Sequence, residues 1–242
     1  MFLGNNTHYS YLRESYETVG SKTWLNDDFI DSKLFNSRSL FTKESLSLCK
    51  PKPRELEVYA LLSGISFDQE ITSKLVFVQK EISKVLEGAL HYWVHPLNFG
   101  VEYCVFKWPD EDWNKSWLGL IEKEISLLDV VPFQFVIQGI QINSDGCIIA
   151  KGYDENRSIF RIREQLKNNL KFMPERQSGW AHIPIGRILE PIGISKFTKL
   201  QYLINTLSNA VVAEFKIDVV KFVHETRWYM EEKSILLEHH LK

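Results

Sequence analysis

The chain reads as an α+β protein built as two pseudo-symmetric lobes around a cleft. Strand-like and helix-like segments follow one another without the strict β-α-β order of a doubly wound sheet. The strand–helix–strand order of the first half returns in the second. The chain has 242 residues, 44% of them hydrophobic and 13% aromatic, which suffices for a sizeable core without metal or disulfide staples.

Residues 1–54 stand apart. They are rich in Ser, Asn, Thr and Tyr, with apolar residues in no firm period, and they end in Lys50-Pro51-Lys52-Pro53, an extended connector. Trp24, Phe29, Phe35 and Phe41 predict some burial. We read 1–54 as an N-terminal extension packed on a main domain of residues 55–242, with a disordered tail as the alternative.

The main domain begins with a partly alternating apolar run at Glu55–Ile65, a strand. In Asp68–Leu86, apolar residues at 71, 75, 76, 78, 82, 85 and 86 have helical spacing, with acids in the first turn. Tyr92–Val94 is a short strand, followed by a Pro96-Leu97-Asn98 turn and a longer strand, Gly100–Phe106. Asp112–Leu128 reads as a helix. Phe133–Asn143 and Cys147–Tyr153 pair as a hairpin about Ser144-Asp145-Gly146. The second half supplies a helix at Arg157–Lys171, a strand at Gly179–Leu189 and a helix at Phe197–Ala210. Two closing strands follow, Ala213–Glu225 and Lys233–Leu241. The basic residues of the Arg157–Lys171 helix lie on mixed sides and predict a solvated face.

Composition excludes several classes. The formal net charge of −2 offers no general basic excess for nucleic-acid phosphates. The three cysteines have no metal-binding or disulfide spacing and point to a reducing, cytoplasmic setting, with Cys104 and Cys147 as buried thiols. MFLGNNTHYSY lacks a basic segment before an apolar core, so no secretory signal is expected. The longest apolar run is too short to cross a membrane. The histidines have no metal-ligand spacing, so neither a metal nor a cofactor is expected.

Three stretches carry a resemblance. Ala181–Leu189 (AHIPIGRIL) is similar to the second His-x-Thr-x-Gly-Arg motif of the 2H phosphoesterase superfamily, the bacterial RNA 2′,3′-cyclic phosphodiesterases long called 2′-5′ RNA ligases. His182, Gly186, Arg187 and Ile188 match, and Pro184 stands at the Thr position. Trp93–Phe99 (WVHPLNF) resembles the lead-in to the first motif, but the next three residues are Gly100-Val101-Glu102 instead of His-x-Thr. The hairpin at 133–153 and the closing strands also resemble the family, so the likeness covers about residues 55–241.

The resemblance implies a fold of two lobes of antiparallel sheet, with helices outside and a central cleft. In the family, two histidines across the cleft act as general base and general acid on a phosphodiester or cyclic phosphate, a task suited to a group titrating near neutrality. Hydroxyls two residues on share their strand face and donate hydrogen bonds to the phosphate. This chain keeps His182 alone of the four groups. We therefore expect a cleft that binds a nucleotide, a cyclic phosphate or an RNA end without the usual two-histidine catalysis.

Two alternatives stand beside this reading. One is a phosphodiesterase of altered mechanism using His182 with Glu102. The other is a protein-interaction module whose cleft is filled or covered by 1–54. Arg187 is a candidate substrate ligand through the resemblance, although alternation places it opposite His182 and favours a structural ion pair. His95, beside the lost motif, is a second candidate ligand, in a turn position that favours solvent.

Overall fold

The computed structural model describes residues 7–25 and 32–242. Among them, β1 (Glu55–Gly64), β3 (Gly100–Lys107), β8 (Val219–Arg227) and β9 (Glu232–His240) form a four-stranded sheet in the order β3-β1-β8-β9. A five-stranded sheet runs β2-β6-β5-β4-β7, from β2 (His91–Trp93), β4 (Phe133–Ile142), β5 (Cys147–Asp154), β6 (Ala181–Ile188) and β7 (Val211–Ile217). Every pairing among these strands is antiparallel.

Each sheet carries a pair of helices on the face away from the cleft. Helices α4 (Gln69–Val85) and α7 (Gly193–Leu207) pack on the five-stranded sheet, while α5 (Trp117–Ser126) and α6 (Ser158–Asn169) serve the four-stranded one. In α4 the buried residues are Ile71, Leu75, Val78, Gln79 and Ile82, a single stripe at helical period. The one polar member, Gln79, is satisfied: its amide donates to the carbonyls of Val94 (2.9 Å) and Ile185 (2.8 Å).

Three expectations need correction. The closing strand read as Ala213–Glu225 is two strands in different sheets. β7 pairs with β4 and β8 with β1, and the chain changes sheet at Asp218, whose carbonyl accepts from the Leu241 N–H at 2.8 Å. Alternation continues on both sides of Asp218, so periodicity hides the crossing. The helix read from Asp112 begins only at Trp117, after a turn in which the Asn114 side chain accepts from the Ser116 N–H.

The N-terminal segment, thirdly, is helical: α1 (Thr7–Thr23), α2 (Ser32–Arg38) and α3 (Lys43–Ser47). The buried stripe of α1 is His8, Leu12, Tyr16, Gly20 and Thr23. Its spacing is helical, but its residue types are mostly polar or small, so no apolar period shows. Of the aromatics expected to be buried, Phe41 is buried and Trp24 packs edge-on to Phe197, but Phe35 is 72% exposed. Phe29 lies outside the described residues.

Helix α1 lies on the cleft-side face of the five-stranded sheet. Leu12 and Tyr16 join Val136, Ile149 and Tyr153 in a small core of their own. The Tyr16 hydroxyl donates to the carbonyls of Ala181 (3.0 Å) and Gly152 (3.2 Å) and accepts from the Gly152 N–H (3.3 Å). At Gly20 any Cβ would lie 2.8 Å from the Gln141 side chain, so glycine permits the close approach. His8 meets the buried Asp154 at 2.8 Å, and the second Asp154 oxygen accepts from the Ile159 N–H at the start of α6.

Tyr16→Phe keeps the ring packing and removes all three hydrogen bonds from a buried site. The expected loss of stability is about 1–3 kcal/mol, measured by urea denaturation with an unchanged m-value.

Candidate cleft site

Between the sheets lies a cleft of about 340 Å³. Three of the predicted residues line it: His182, Glu102 and Arg187. His95 does not. Its side chain is exposed, and its Nδ1 accepts from the Leu97 N–H to cap the short helical turn at Pro96–Asn98.

His182 and Pro184 lie on the cleft face of β6, while Ile183 and Ile185 point into the main core. Simple alternation would then send Arg187 to the core side. A β-bulge intervenes: Ile148 pairs with Gly186 but Ile149 with Pro184, so Ile185 is the extra residue. The bulge shifts the parity and brings Arg187 to the cleft wall.

The guanidinium of Arg187 is nevertheless committed inward. Its Nε donates to the Tyr229 hydroxyl (2.6 Å), and one terminal nitrogen donates to Ser37 Oγ (2.6 Å) and Asp145 Oδ2 (2.9 Å). Ser37 also donates to the Asp145 carbonyl. Arg187 thus fastens the β4–β5 turn, the β8–β9 turn and α2 together.

The wall of the cleft at the start of β3 is apolar. A Cβ on Gly100 would lie 3.3 Å from the Ser63 carbonyl oxygen and 3.6 Å from a Leu62 methyl. Leu62, Ile65 and Val223, with Met230, form an apolar cluster there. Glu102 stands opposite Leu62 on β3, and Glu225 stands opposite Val58 on β8, so two carboxyls flank β1 on the cleft face. Sequence reading misses Glu225, which is buried, with one oxygen accepting from the Met230 N–H at 2.8 Å. Nothing in its strand marks it, because the signal is spatial.

Electrostatics follow from this burial. Desolvation raises the Glu102 carboxyl to about 7, against the pull of Arg163 and Arg176. Glu225 is pushed up to about 8 by burial, with the Glu102 charge adding to the rise and Met230 and Lys233 opposing it. Burial, with the nearby Arg163 charge adding to it, lowers His182 to about 4. Among the described residues the His182 ring makes no hydrogen bond; its ring neighbour is Trp180, edge-on at 5.7 Å. The Cys147 thiol, also on the cleft wall, is raised to about 11 by burial.

Arg163 corrects the expectation of a solvated basic helix. It is buried, donating from Nε to the Tyr103 carbonyl (2.5 Å) and from Nη2 to the Trp180 carbonyl (3.2 Å). It ties β3 to the entrance of β6 and places a positive charge near both Glu102 and His182. Arg176 sits over the Trp108 ring at 4.8 Å, and Trp108 and Trp228 both line the cleft. The loop carrying Arg176 is held by Gln177, whose side-chain amide pairs with both backbone groups of Val105 at 2.9 Å, covering the edge of β3. No group of three or more metal-ligating side chains occurs among the described residues, and none of their helices is long and apolar enough to cross a membrane.

The raised Glu225 pKa has a definite sign. An unfolded Glu ionises near 4.5, whereas the folded one holds its proton to about 8. This group's stabilising contribution is therefore full below 4.5 and is lost as pH rises through 8. Glu225→Gln keeps an acceptor for Met230 and removes the titration. Its stability relative to wild type, followed by melting temperature, is expected to rise steadily from pH 5 to pH 8, by a free energy on the order of a few kcal/mol. Parallel melting curves across that range would contradict the assignment.

No family model matches the chain, and no curated protein matches it. Solved structures do. TT0787 of Thermus thermophilus superposes with a TM-score of 0.56 at 15% identity, over 77% of this chain and 97% of that one. E. coli LigT in its apo form matches with a TM-score of 0.55 at 9% identity, over 78% of this chain and 99% of LigT. LigT complexed with ATP and with 3′-AMP matches at TM-scores of 0.54 and 0.53. With two antiparallel sheets, helices behind each and a cleft between them, the chain has the LigT-like fold.

Proposed function

We propose that the protein binds a nucleotide, a cyclic phosphate or an RNA end in this cleft, without the family's usual two-histidine catalysis. The observation that carries the reading is the lining itself. The cleft is open to ligand, and none of its lining residues comes from 7–25 or 32–54. It is lined by Trp108 and Trp228, by Arg176 as an anion partner and by the imidazole of His182. Base–aromatic stacking is worth about 1–3 kcal/mol per base. LigT has been seen with ATP, 3′-AMP and NADP+, which supports the same ligand class here. We take residues 55–242 as the ligand-binding domain and 1–54 as its extension.

The loss of catalysis follows from what is missing. A positioned proton-transfer group contributes roughly 10²–10⁴ in rate, and each donor to the developing charge about 10²–10³. Gly100, Glu102 and Pro184 supply none of these in the family's manner.

One observation favours a second reading, an active phosphodiesterase of altered mechanism. Glu102 at about 7 and His182 at about 4 reverse the usual order of carboxyl and imidazole. Near neutral pH such a pair offers a partly protonated acid and a neutral base, the pattern from which acid and base roles are read.

A thermal-shift panel of 2′,3′-cyclic nucleotides, 3′-AMP and short RNAs separates the readings. Wild type is expected to be stabilised and His182→Ala to lose most of the shift, with no hydrolysis above that of the variant. Robust hydrolysis of 2′,3′-cyclic nucleotides, abolished by His182→Ala and by Glu102→Gln, would overturn the first reading in favour of the second.

A further inference from the structure

The face of the five-stranded sheet that carries His182 does not end at the cleft. Lys151 and Ile149 on β5 are the cross-strand partners of His182 and Pro184, so all four share that face. The same face continues over Tyr153 to Val136 and Gln141 on β4. A ligand longer than the cleft, with one end at His182, would continue across this surface.

Helix α1 occupies that surface. Leu12 and Tyr16 are fully buried on Ile149 and Tyr153, Gly20 lies against Gln141, and the Thr23 hydroxyl donates to the Ile142 carbonyl at 2.7 Å. The helix therefore runs along the strands and stays in contact from Tyr153 to Ile142. Tyr16 meets Trp180 at 5.0 Å between ring centroids, and Trp180 in turn meets His182. The edge of the helix thus stands one ring away from the cleft imidazole.

The charges agree with the packing. Lys151, beside His182, is only 5% exposed under α1. Burial lowers its pKa; Glu17 on α1 pulls it back, and Arg13 on the same helix pushes it down again. The helix thus lays the paired Glu17 and Arg13 (2.8 Å) near a buried lysine that a phosphate chain crossing this face would otherwise meet.

We propose that α1 sets the length of ligand the cleft accepts. It covers the track along which a polynucleotide would continue past His182, leaving a pocket for a single nucleotide. The open volume of about 340 Å³ lies at the small end for ligand sites. This proposal rests on the reading of the cleft as a nucleotide site and adds its size limit.

Affinities of a mononucleotide, a dinucleotide and an RNA of roughly ten nucleotides test it on the full chain. Three proteins are compared: wild type, Tyr16→Phe, which loosens α1 while keeping its ring, and Leu12→Ala with Tyr16→Phe, which frees it further. Wild type is expected to bind all three lengths within about twofold. The variants should gain affinity for the longest RNA in that order, reaching about tenfold over the mononucleotide, in step with faster amide exchange in α1. Wild-type affinity that climbs with length would overturn the size limit alone. Length-independent binding by a variant whose α1 exchanges freely would do the same. No binding at any length in any protein would overturn the nucleotide reading and this proposal with it. Should the double variant fail to fold, Tyr16→Phe and the wild-type series still decide.

Discussion

The cleft depends on one carbonyl. The bulge at Ile185 leaves its oxygen to accept from two donors, the Val94 N–H at 3.1 Å and the Gln79 side chain at 2.8 Å. Gln79 reaches Val94 as well, so one buried amide on α4 clamps the chain end after β2 to the strand that carries His182. The parity of β6 changes at this point, and everything downstream on the strand follows. Without the bulge, Arg187 would be driven into an aliphatic core, where an unpaired guanidinium costs several kcal/mol. With it, Arg187 finds Asp145, Ser37 and Tyr229 and becomes the joint between two turns and the N-terminal segment. Its charge is then spent on architecture, which leaves Arg176 as the guanidinium over the cleft mouth.

This division of labour explains why the cleft is chemically unlike a phosphate cradle. Such a cradle would take hydrogen-bond donors on the cleft faces of β3 and β6, at positions such as 100, 102, 182 and 184. Here the first is packed by Leu62 and Ile65, the second is a carboxyl and the fourth a proline. The carboxyls tolerate their surroundings because burial keeps both partly or wholly protonated near neutral pH. Arg163, buried between Tyr103 and Trp180, limits the cost for Glu102 and raises it for a protonated His182. A phosphate entering deeply would meet Glu102 and Glu225, whereas one held at the mouth would meet Arg176 and the face of Trp108.

Much of this is legible in the sequence, and the failures have physical causes. The helices of the main domain show because each buries one apolar stripe, as α4 does with Ile71, Leu75, Val78 and Ile82. His182 and Glu102 are reached through the motif resemblance, and strand parity, which holds over short spans, faces Glu102 to the cleft. Arg187 stays undecided because parity and motif disagree, and a bulge leaves no mark in a string of Ile, Gly and Pro. The change of sheet at Asp218 escapes because both flanking strands alternate. Glu225, Arg163 and Gln177 act across the fold, on partners 60 or more residues away in the case of Arg163 and Gln177, and no local period reports such contacts. Helix α1 is hidden because its buried face is His, Leu, Tyr, Gly and Thr, a face shaped to fit a sheet and not to be hydrophobic.

That last point bears on what the N-terminal segment is for. A helix that merely filled space on a sheet would present leucines and valines. Helix α1 instead meets strand carbonyls with Tyr16 and Thr23, joins Asp154 through His8 and sets Glu17 near Lys151. These contacts satisfy polar groups of β4, β5 and β6 that would face water, or a ligand, if the helix were absent. The sheet beneath it is correspondingly mixed, with Gln138, Gln141 and Lys151 among its apolar residues. A surface of that composition suits a polar occupant as well as a helix, and the helix holds it by matching the surface group for group. His182 and the seat of α1 lie on one face of the same sheet, so what α1 covers is the continuation of the cleft wall.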